Sequence, residues 1–172
     1  YGADALRYTL ITGNAPGNDM RFYWERVEAS RNFANKVWNA SRFIMMNMDE
    51  NIIDEPSHDL FTPADRWILS AANTLAKDVT DNMDKFELGI AVQKVYDFIW
   101  DEFCDWYVEM AKFRIYHKEE APEAANCALW VLKTVLAQGL KLLHPFMPFI
   151  TEEIYGALVP EEESLMMSVN LF

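Results

Sequence analysis

The stretch VQKVYDFIWDEFCDWYVEMAKF, residues 92–113, decides the fold class. Its apolar side chains recur at spacings of three and four, which is the period of an α-helix. They form two stripes, the first made of Leu88, Val92, Val95, Ile99, Phe103, Trp106, Met110 and Phe113, and the second of Tyr96, Trp100, Cys104, Tyr107 and Ala111. A helix that is apolar over most of its circumference packs between neighbours, so the sequence predicts an all-α helical bundle with this helix at its centre.

The rest of the chain continues the helical pattern, with no strand signal. Helices are expected over about 3–11 and 24–47, separated by the turn-forming stretch TGNAPGND at 12–19. The next helix is predicted to begin with Thr62 as its N-cap and Pro63 at the first helical position. Asp65, at the third helical position, makes this start a close relative of a capping box. The stripe that follows is Ile68, Ala72, Leu75, Val79, Met83 and Phe86. Pro122 opens a helix whose core side is Leu129, Leu132, Val135, Leu136, Leu140 and Leu143, and HPFMPF at 144–149 separates it from a short last helix carrying Ile150, Ile154 and Leu158.

Composition bounds the class of protein. A chain of 172 residues with 51% hydrophobic residues has material for one large core. Cys104 and Cys127 lie on predicted buried helices without metal-site spacing, which favours reduced thiols and a cytoplasmic location. There is no uninterrupted apolar run of 18 residues, so no membrane span is expected. The chain opens on Tyr1, already in helical rhythm, which indicates an excerpt from a longer protein.

One helix carries a polar stripe that needs a separate explanation. In ASRNFANKVWNASRF, residues 29–43, an α-helix brings Asn32, Lys36, Asn39 and Phe43 within roughly 60° of one another. The core side is supplied by a different arc, made of Phe33, Val37, Ala40 and Ile44. Phe43 therefore lies on the side that a simple amphipathic helix leaves to solvent. Either the helix is covered on two sides inside the bundle, or Phe43 is a platform for a flat ligand.

The charge distribution is uneven. The chain has a net charge of −12, which by itself argues against nucleic acid, because phosphates are bound by Lys and Arg. Residues 21–48, however, carry five basic side chains against two acidic ones, a net charge of +3, and the remainder carries −15. A local basic stripe on an acidic body could accept one RNA element, although such a run more commonly marks a solvated helix face.

The sequence shows no catalytic or metal-binding constellation. His58, His117 and His144 lie on three separate segments, and the single Glu-x-x-His, from Glu55 to His58, is interrupted by Pro56. A last candidate is the regularly spaced acidic set, which we interpret as a solvated face rather than a general-acid pair: Asp97, Asp101, Asp105 and Glu109. No catalytic residue and no metal site are predicted.

Three stretches carry a family resemblance. YGADALRYTLITGNAPGNDMRFYWERVEASRNFANKVWNASRF at 1–43 resembles the valyl-tRNA synthetases where the chain leaves the catalytic domain for the anticodon-binding domain. CDWYVEMAK at 104–112 and LLHPFMPFITEEIY at 142–155 are similar to later helices that the valine, isoleucine and leucine enzymes share more loosely. The resemblance implies the bundle of the class I synthetase anticodon-binding type, within an enzyme that uses ATP to join valine to its tRNA.

The same resemblance implies that catalysis takes place in a different part of the full-length enzyme. ATP and Mg belong to the full-length enzyme, and no cofactor is expected here, because the paired-histidine and lysine-serine signatures that bind ATP do not occur in these residues. We therefore expect a non-catalytic fragment of a valine-tRNA ligase. Its expected partners are the tRNA for valine, through the anticodon stem-loop, and the catalytic domain of the same chain, in a monomeric, cytoplasmic protein.

The resemblance also suggests roles for the polar helix. Readers of RNA loops stack unpaired bases on aromatic rings and bond base edges with amides and cations. Phe43 would be the stacking surface, and Lys36 and Asn39 would read base edges, with Asn32 and Asn35 as neighbours. Three arginines would contact phosphates: Arg21, Arg31 and Arg42. Scaffold alternatives stay open, with Arg31 paired to Glu28 or Glu25 and Asn35 bonded to the helix backbone.

The expected domain organisation has three parts. Residues 1–23 form a connector helix and loop that would pack against the catalytic domain and the inner corner of the tRNA, with Arg7, Asn18 and Arg21 at that junction. Residues 24–158 form the anticodon-binding bundle, and 159–172 form a C-terminal tail. The rival interpretation is a structural or protein-docking bundle in which the polar stripe contacts a partner helix.

Overall fold

The computed structural model describes residues 1–12, 21–48, 55–160 and 164–165, and these contain helices and no strand. The expected all-α fold is confirmed. The elements are α1 (Ala3–Ile11), α2 (Trp24–Asn47), a 3₁₀ turn (His58–Leu60), α3 (Pro63–Asp84), α4 (Leu88–Asp97), a π-helix (Phe98–Tyr107), α5 (Val108–Tyr116), α6 (Pro122–Leu143) and α7 (Pro148–Leu158). Residues 13–19 of the predicted loop, including Asn18, and most of the predicted tail lie outside the described residues.

The core is centred on α6. Twelve of its 22 residues are buried, and they include all six positions predicted to face the core. It contacts α2, α3, α4, α5 and α7. The continuous helix from Leu88 to Tyr116, expected at the centre, contacts α1, α2, α3 and α6 but has one side open to solvent. None of the described helices is both long and apolar enough to cross a membrane.

An aromatic cluster fixes the position of α2. Phe33 is fully buried, and its ring centroid lies 5.4 Å from Tyr8 of α1, 4.8 Å from Tyr96 and 6.4 Å from Trp100. Val37 and Ile44 are fully buried on the same side, as the apolar arc predicted. The core side of α2 is therefore satisfied without the polar stripe.

The first helix is tied to the bundle by polar contacts as well as by Tyr8. The buried carboxylate of Asp4 accepts hydrogen bonds from the backbone N–H groups of Phe149 (3.3 Å) and Ile150 (2.7 Å), in the first turn of α7. These N–H groups have no partner within their own helix, and an anion at a helix N-terminus is stabilising. Arg7, expected at a domain junction, donates to the carbonyl of Pro145 at 3.3 Å. Residues 1–12 thus pack onto the bundle that they precede.

A π-helix shifts the register of the predicted central helix. The first half follows the predicted stripe from Val92 onwards, since Val92, Val95 and Ile99 are buried, whereas Leu88 at its start is 40% exposed. From the last residue of the π-helix onwards, the buried side chains are Tyr107 and Ala111 of the second predicted stripe, together with Val108 and Ile115. The prediction that Trp106, Met110 and Phe113 face the core is wrong: they are 63%, 44% and 69% exposed. A π-helix holds more residues per turn than an α-helix, so the side chains after it rotate away from a regular three-four pattern.

The end of α3 departs from its prediction at Phe86. The stripe holds from Ile68 to Val79, but Phe86 lies beyond the helix, 87% exposed, with φ of +60°. The N–H of Phe86 donates to Met83 O and that of Glu87 to Asn82 O, each at 2.9 Å. This is a Schellman motif with phenylalanine at the left-handed position that usually holds glycine.

A buried carboxylate joins the start of α3 to α5. The capping box at Thr62 is confirmed, with Asp65 as its third helical residue. Fully buried, Asp65 also accepts a hydrogen bond from the Tyr107 hydroxyl at 2.5 Å and two from the Arg114 guanidinium, at 2.5 and 2.9 Å. Burial raises the pKa of Asp65, but the bonds from Arg114, Tyr107 and Thr62 outweigh it, so the pKa lies below its ordinary value. We call Thr62, Asp65, Tyr107 and Arg114 the Asp65 network.

Both cysteines are buried free thiols, as predicted. Burial raises the pKa of Cys104 to about 12, which keeps it protonated and unreactive near neutral pH. Within the described ranges no three His, Cys, Asp or Glu side chains are placed to hold a metal ion.

We expect Asp65→Asn to lower the free energy of unfolding by about 3 kcal/mol at pH 7, because it leaves the mostly buried Arg114 charge without its partner. Asp65 has a lowered pKa in the folded state, so its contribution is fully present above the unfolded-state pKa of about 3.9 and is lost as the pH falls through the folded value. Urea unfolding at a series of pH values should show the two proteins converging below about pH 4. The matched control is the exposed Asp81→Asn, and an equal effect of both variants at neutral pH would contradict the assignment.

We expect Phe86→Gly to raise the free energy of unfolding by about 1 kcal/mol, because glycine adopts a positive φ without the steric cost that a Cβ imposes. Phe86→Ala keeps the Cβ and should give no such gain. Thermal and urea unfolding of the three proteins measures the difference, and equal gains for alanine and glycine would show that the backbone at this position is not strained.

Candidate nucleic-acid interface

The predicted polar side of α2 is solvent-exposed in the structure. Asn32, Asn35, Asn39 and Arg42 all lie on the exposed side of this 24-residue helix, opposite the buried Phe33 and Val37. We call these four exposed side chains the amide face. The Asn35 side chain makes no hydrogen bond to any described residue, so the scaffold role considered for it finds no support there.

Lys36 and Phe43 lie at one edge of the amide face, where α2 meets the next helices. Lys36 Nζ donates to Asp105 Oδ1 at 2.6 Å and lies 3.8 Å from the ring centroid of Trp100. Its side chain is only 23% exposed. An ammonium has three donors, so the bond to Asp105 does not exhaust its capacity to donate. Lys36 therefore bridges α2 to the π-helix as well as bordering the amide face, which the sequence did not predict.

Phe43 is half-buried and packs against the core, so the helix is partly covered on a second side. Its ring meets Tyr116 edge-on, with centroids 6.5 Å apart, and Lys112 Nζ lies 5.6 Å from its centroid. Both readings of Phe43 thus have a structural basis, because a ring held by neighbours and still partly exposed is a stable stacking surface. Four side chains line this junction of α2 with the π-helix and α5, and we call them the seam: Lys36, Phe43, Lys112 and Tyr116.

The structure also exposes two aromatic rings that the sequence pattern assigned to the core. Trp106 and Phe113 are 63% and 69% exposed, and Tyr116 of the seam, which belonged to neither predicted stripe, is 66% exposed. The Phe113 ring packs against that of His117, with ring centroids 4.4 Å apart and the planes tilted by 33°. The periodicity of residues 88–113 hid these residues, because it gives no signal of a π-helix.

The predicted phosphate-binding arginines do not form one group. Arg42 belongs to the amide face, whereas Arg21 precedes the other end of α2, about 30 Å away along the helix axis. Arg31 makes the ion pair that its scaffold alternative named, with Nη2 3.3 Å from Glu28 Oε1, and its guanidinium lies 5.3 Å from the Tyr1 ring centroid.

The acidic set predicted as a solvated face is exposed. Two of its members neutralise seam lysines, since Asp105 pairs with Lys36, and Glu109 lies 2.5 Å from Lys112. These acidic side chains are therefore bound to cations at the seam and add little net negative charge where an anionic ligand would approach.

Comparisons with known proteins agree with this architecture. Residues 65–169 match the family model described as the anticodon-binding domain of tRNA ligase. The chain is similar to valine–tRNA ligases of Clostridium tetani (58% identity), Clostridium perfringens (59%) and Bacillus thuringiensis (50%), in each case over 98% of the chain and 19% of the relative. The chain thus spans about a fifth of the length of these curated relatives.

Solved structures share the fold at low identity. Methionyl-tRNA synthetase of Mycobacterium tuberculosis, in complex with methionyl-adenylate, superposes with a TM-score of 0.75 at 21% identity, over 88% of this chain and 30% of that one. A ternary LeuRS–tRNA–LeuAMS complex from Agrobacterium radiobacter gives a TM-score of 0.62 at 19% identity, over 92% of this chain and 18% of that one. Taken with the family match, which covers more than half of the chain, the helical architecture leads to one conclusion: the chain belongs to the family of anticodon-binding domains of tRNA ligases.

Proposed function

We propose that this chain is the anticodon-binding part of a valine-tRNA ligase and that the amide face and the seam recognise the anticodon loop of the tRNA for valine. The observation that carries the proposal is the exposed amide face, bordered by the half-buried Phe43, in a member of this family. The similarity to valine–tRNA ligases supports valine as the amino acid.

The chemistry of the two surfaces suits unpaired bases. Asparagine side chains offer both a donor and an acceptor to base edges, and Arg42 offers a charged donor to phosphates. Phe43, held by Tyr116 and the core, offers a stacking surface whose orientation is already fixed. Valine codons share their first two letters, so two anticodon bases need to be read, which matches one aromatic ring with a few polar neighbours.

The protein-docking alternative has less support. A groove for a partner helix is apolar, whereas the exposed side of α2 is mainly amide and cationic. The remaining partners are proposed from the length of the relatives. A longer ligase would supply the catalytic domain, and ATP and Mg would bind there, in a monomeric enzyme of the cytoplasm.

We expect the chain to bind a valine anticodon stem-loop more tightly than a loop with the two shared bases changed, and to weaken as salt is added, because phosphate contacts release counterions. Asn39→Ala should reduce affinity for the matched loop about fivefold, the equivalent of one or two lost hydrogen bonds. Phe43→Ala should reduce it about tenfold by removing one stacking contact. Fluorescence anisotropy at two salt concentrations measures these changes.

Two controls separate recognition from folding. Asn73→Ala changes an exposed asparagine on α3, and Phe86→Ala removes an exposed aromatic ring away from α2; neither should alter RNA affinity. Equal binding of both loops by the unsubstituted chain would refute the proposed function. Equal effects of Asn39→Ala and Asn73→Ala would remove the amide face from the RNA-binding surface.

A further inference from the structure

We propose that Asp65, acting through Tyr107 and Arg114, is a positioning residue that sets the rotation of α5 and thereby fixes the geometry of the seam. The proposal rests on the proposed function, because the seam is taken there as part of the RNA-binding surface. Asp65 is fully buried in the first turn of α3, and its hydrogen bonds and ion pair go to Thr62, Tyr107 and Arg114, not to Lys36 or Phe43 of α2. Its influence on RNA binding would therefore pass through the helix that it holds.

The Asp65 network and the seam lie on opposite sides of the same helix. Tyr107 and Arg114 are seven residues apart, close to two helical turns, so both point towards Asp65 from one side. Lys112 and Tyr116 are each two residues from Arg114 in the sequence. They therefore lie about 200° around the helix axis from Arg114, on the side that faces Phe43. A rotation of α5 cannot break one set of contacts without moving the other.

The apolar pattern alone does not select this rotation. A shift of one residue in helical register rotates the following helix by about 100° about its axis. If residues 98–107 were α-helical, α5 would be rotated in this way, and Trp106, Met110 and Phe113 would face the core, as their spacing with Val92 and Ile99 predicts. The observed register buries Tyr107, Ala111 and Ile115 instead. Each register therefore offers an apolar stripe to α6.

The polar groups distinguish the two registers. Asp65 is fully buried, and in the observed register Tyr107 and Arg114 supply three of its hydrogen bonds. A buried carboxylate without such partners is costly, and the paired guanidinium and carboxylate meet in the planar two-point geometry that Arg provides and Lys does not. The demand of Asp65 for partners thus selects the π register.

The experiment uses two variants that keep most of the core. Arg114→Lys retains the positive charge but loses the two-point contact, and Tyr107→Phe removes a single hydroxyl. The control is Val79→Ala, which removes buried methyl groups from α3 outside the Asp65 network and destabilises the fold without releasing α5. All proteins are compared at a temperature where circular dichroism and urea titration show them fully folded.

Two readouts are taken from each protein. The first is affinity for the matched and the base-changed stem-loop. The second is the exposure of Trp106, followed by ¹⁹F NMR of 5-fluorotryptophan-labelled protein through the solvent isotope shift, with the resonance assigned by Trp106→Phe. Trp106 is 63% exposed in the observed register and should become less exposed if α5 rotates.

We expect Arg114→Lys to lower the preference for the matched loop about tenfold, which is the size of one lost stacking contact. The same variant should reduce the exposure of Trp106. Tyr107→Phe should change the loop preference and the Trp106 exposure in the same direction by a smaller amount. Val79→Ala should change neither. The positioning role is overturned if Arg114→Lys loses stability yet keeps its loop preference, or if Val79→Ala loses preference to the same degree. If the unsubstituted chain does not distinguish the two loops, the proposed function is refuted. In that case, a change of Trp106 exposure in Arg114→Lys would show that Asp65 has a structural role only.

Discussion

The buried carboxylate of Asp65 is the constraint on which the arrangement of the outer helices depends. Five hydrogen bonds converge on it: two from Thr62, one from Tyr107 at the end of the π-helix, and two from Arg114 in α5. Transfer of a carboxylate from water into a protein interior is unfavourable unless it is paired and bonded. The start of α3 and the rotation of α5 are therefore coupled, and neither can be adjusted alone.

Two side chains of α2 connect this helix to the π-helix and α5 and also border the proposed RNA-binding surface. Lys36 binds Asp105 and lies over Trp100, and Phe43 packs on the core and against Tyr116. In a surface that recognises bases, fixed side chains lose less conformational entropy on binding than free ones. The scaffold and recognition roles weighed for these residues are compatible, because the contacts that hold a ring or an ammonium also preorganise it.

The sequence predicted most of the helices because their signals are local. The helices at 3–11 and 24–47, the capping box at Thr62 and the helix opened by Pro122 follow from periodicity and capping chemistry that neighbouring residues contain. The buried side of α2 and the exposed position of its asparagines also follow from spacing alone. The family was recognisable from motifs, and its match supports that identification.

Other features required the tertiary structure. The apolar period of the sequence assigned three side chains to the core that are exposed in the structure: Trp106, Met110 and Phe113. The reason lies more than 40 positions earlier in the chain, where Asp65 binds Tyr107 and Arg114 on the inner side of the helix and leaves those three side chains on the outer side. Phe86 fits the stripe of α3, yet the helix ends before it in a Schellman motif. The sequence by itself determined which segments are helical and which side of α2 is polar, since both depend on spacing within one helix. Only the tertiary structure decided how α5 is rotated and which residues border the amide face, because a buried charge is satisfied by partners that the fold brings from distant positions.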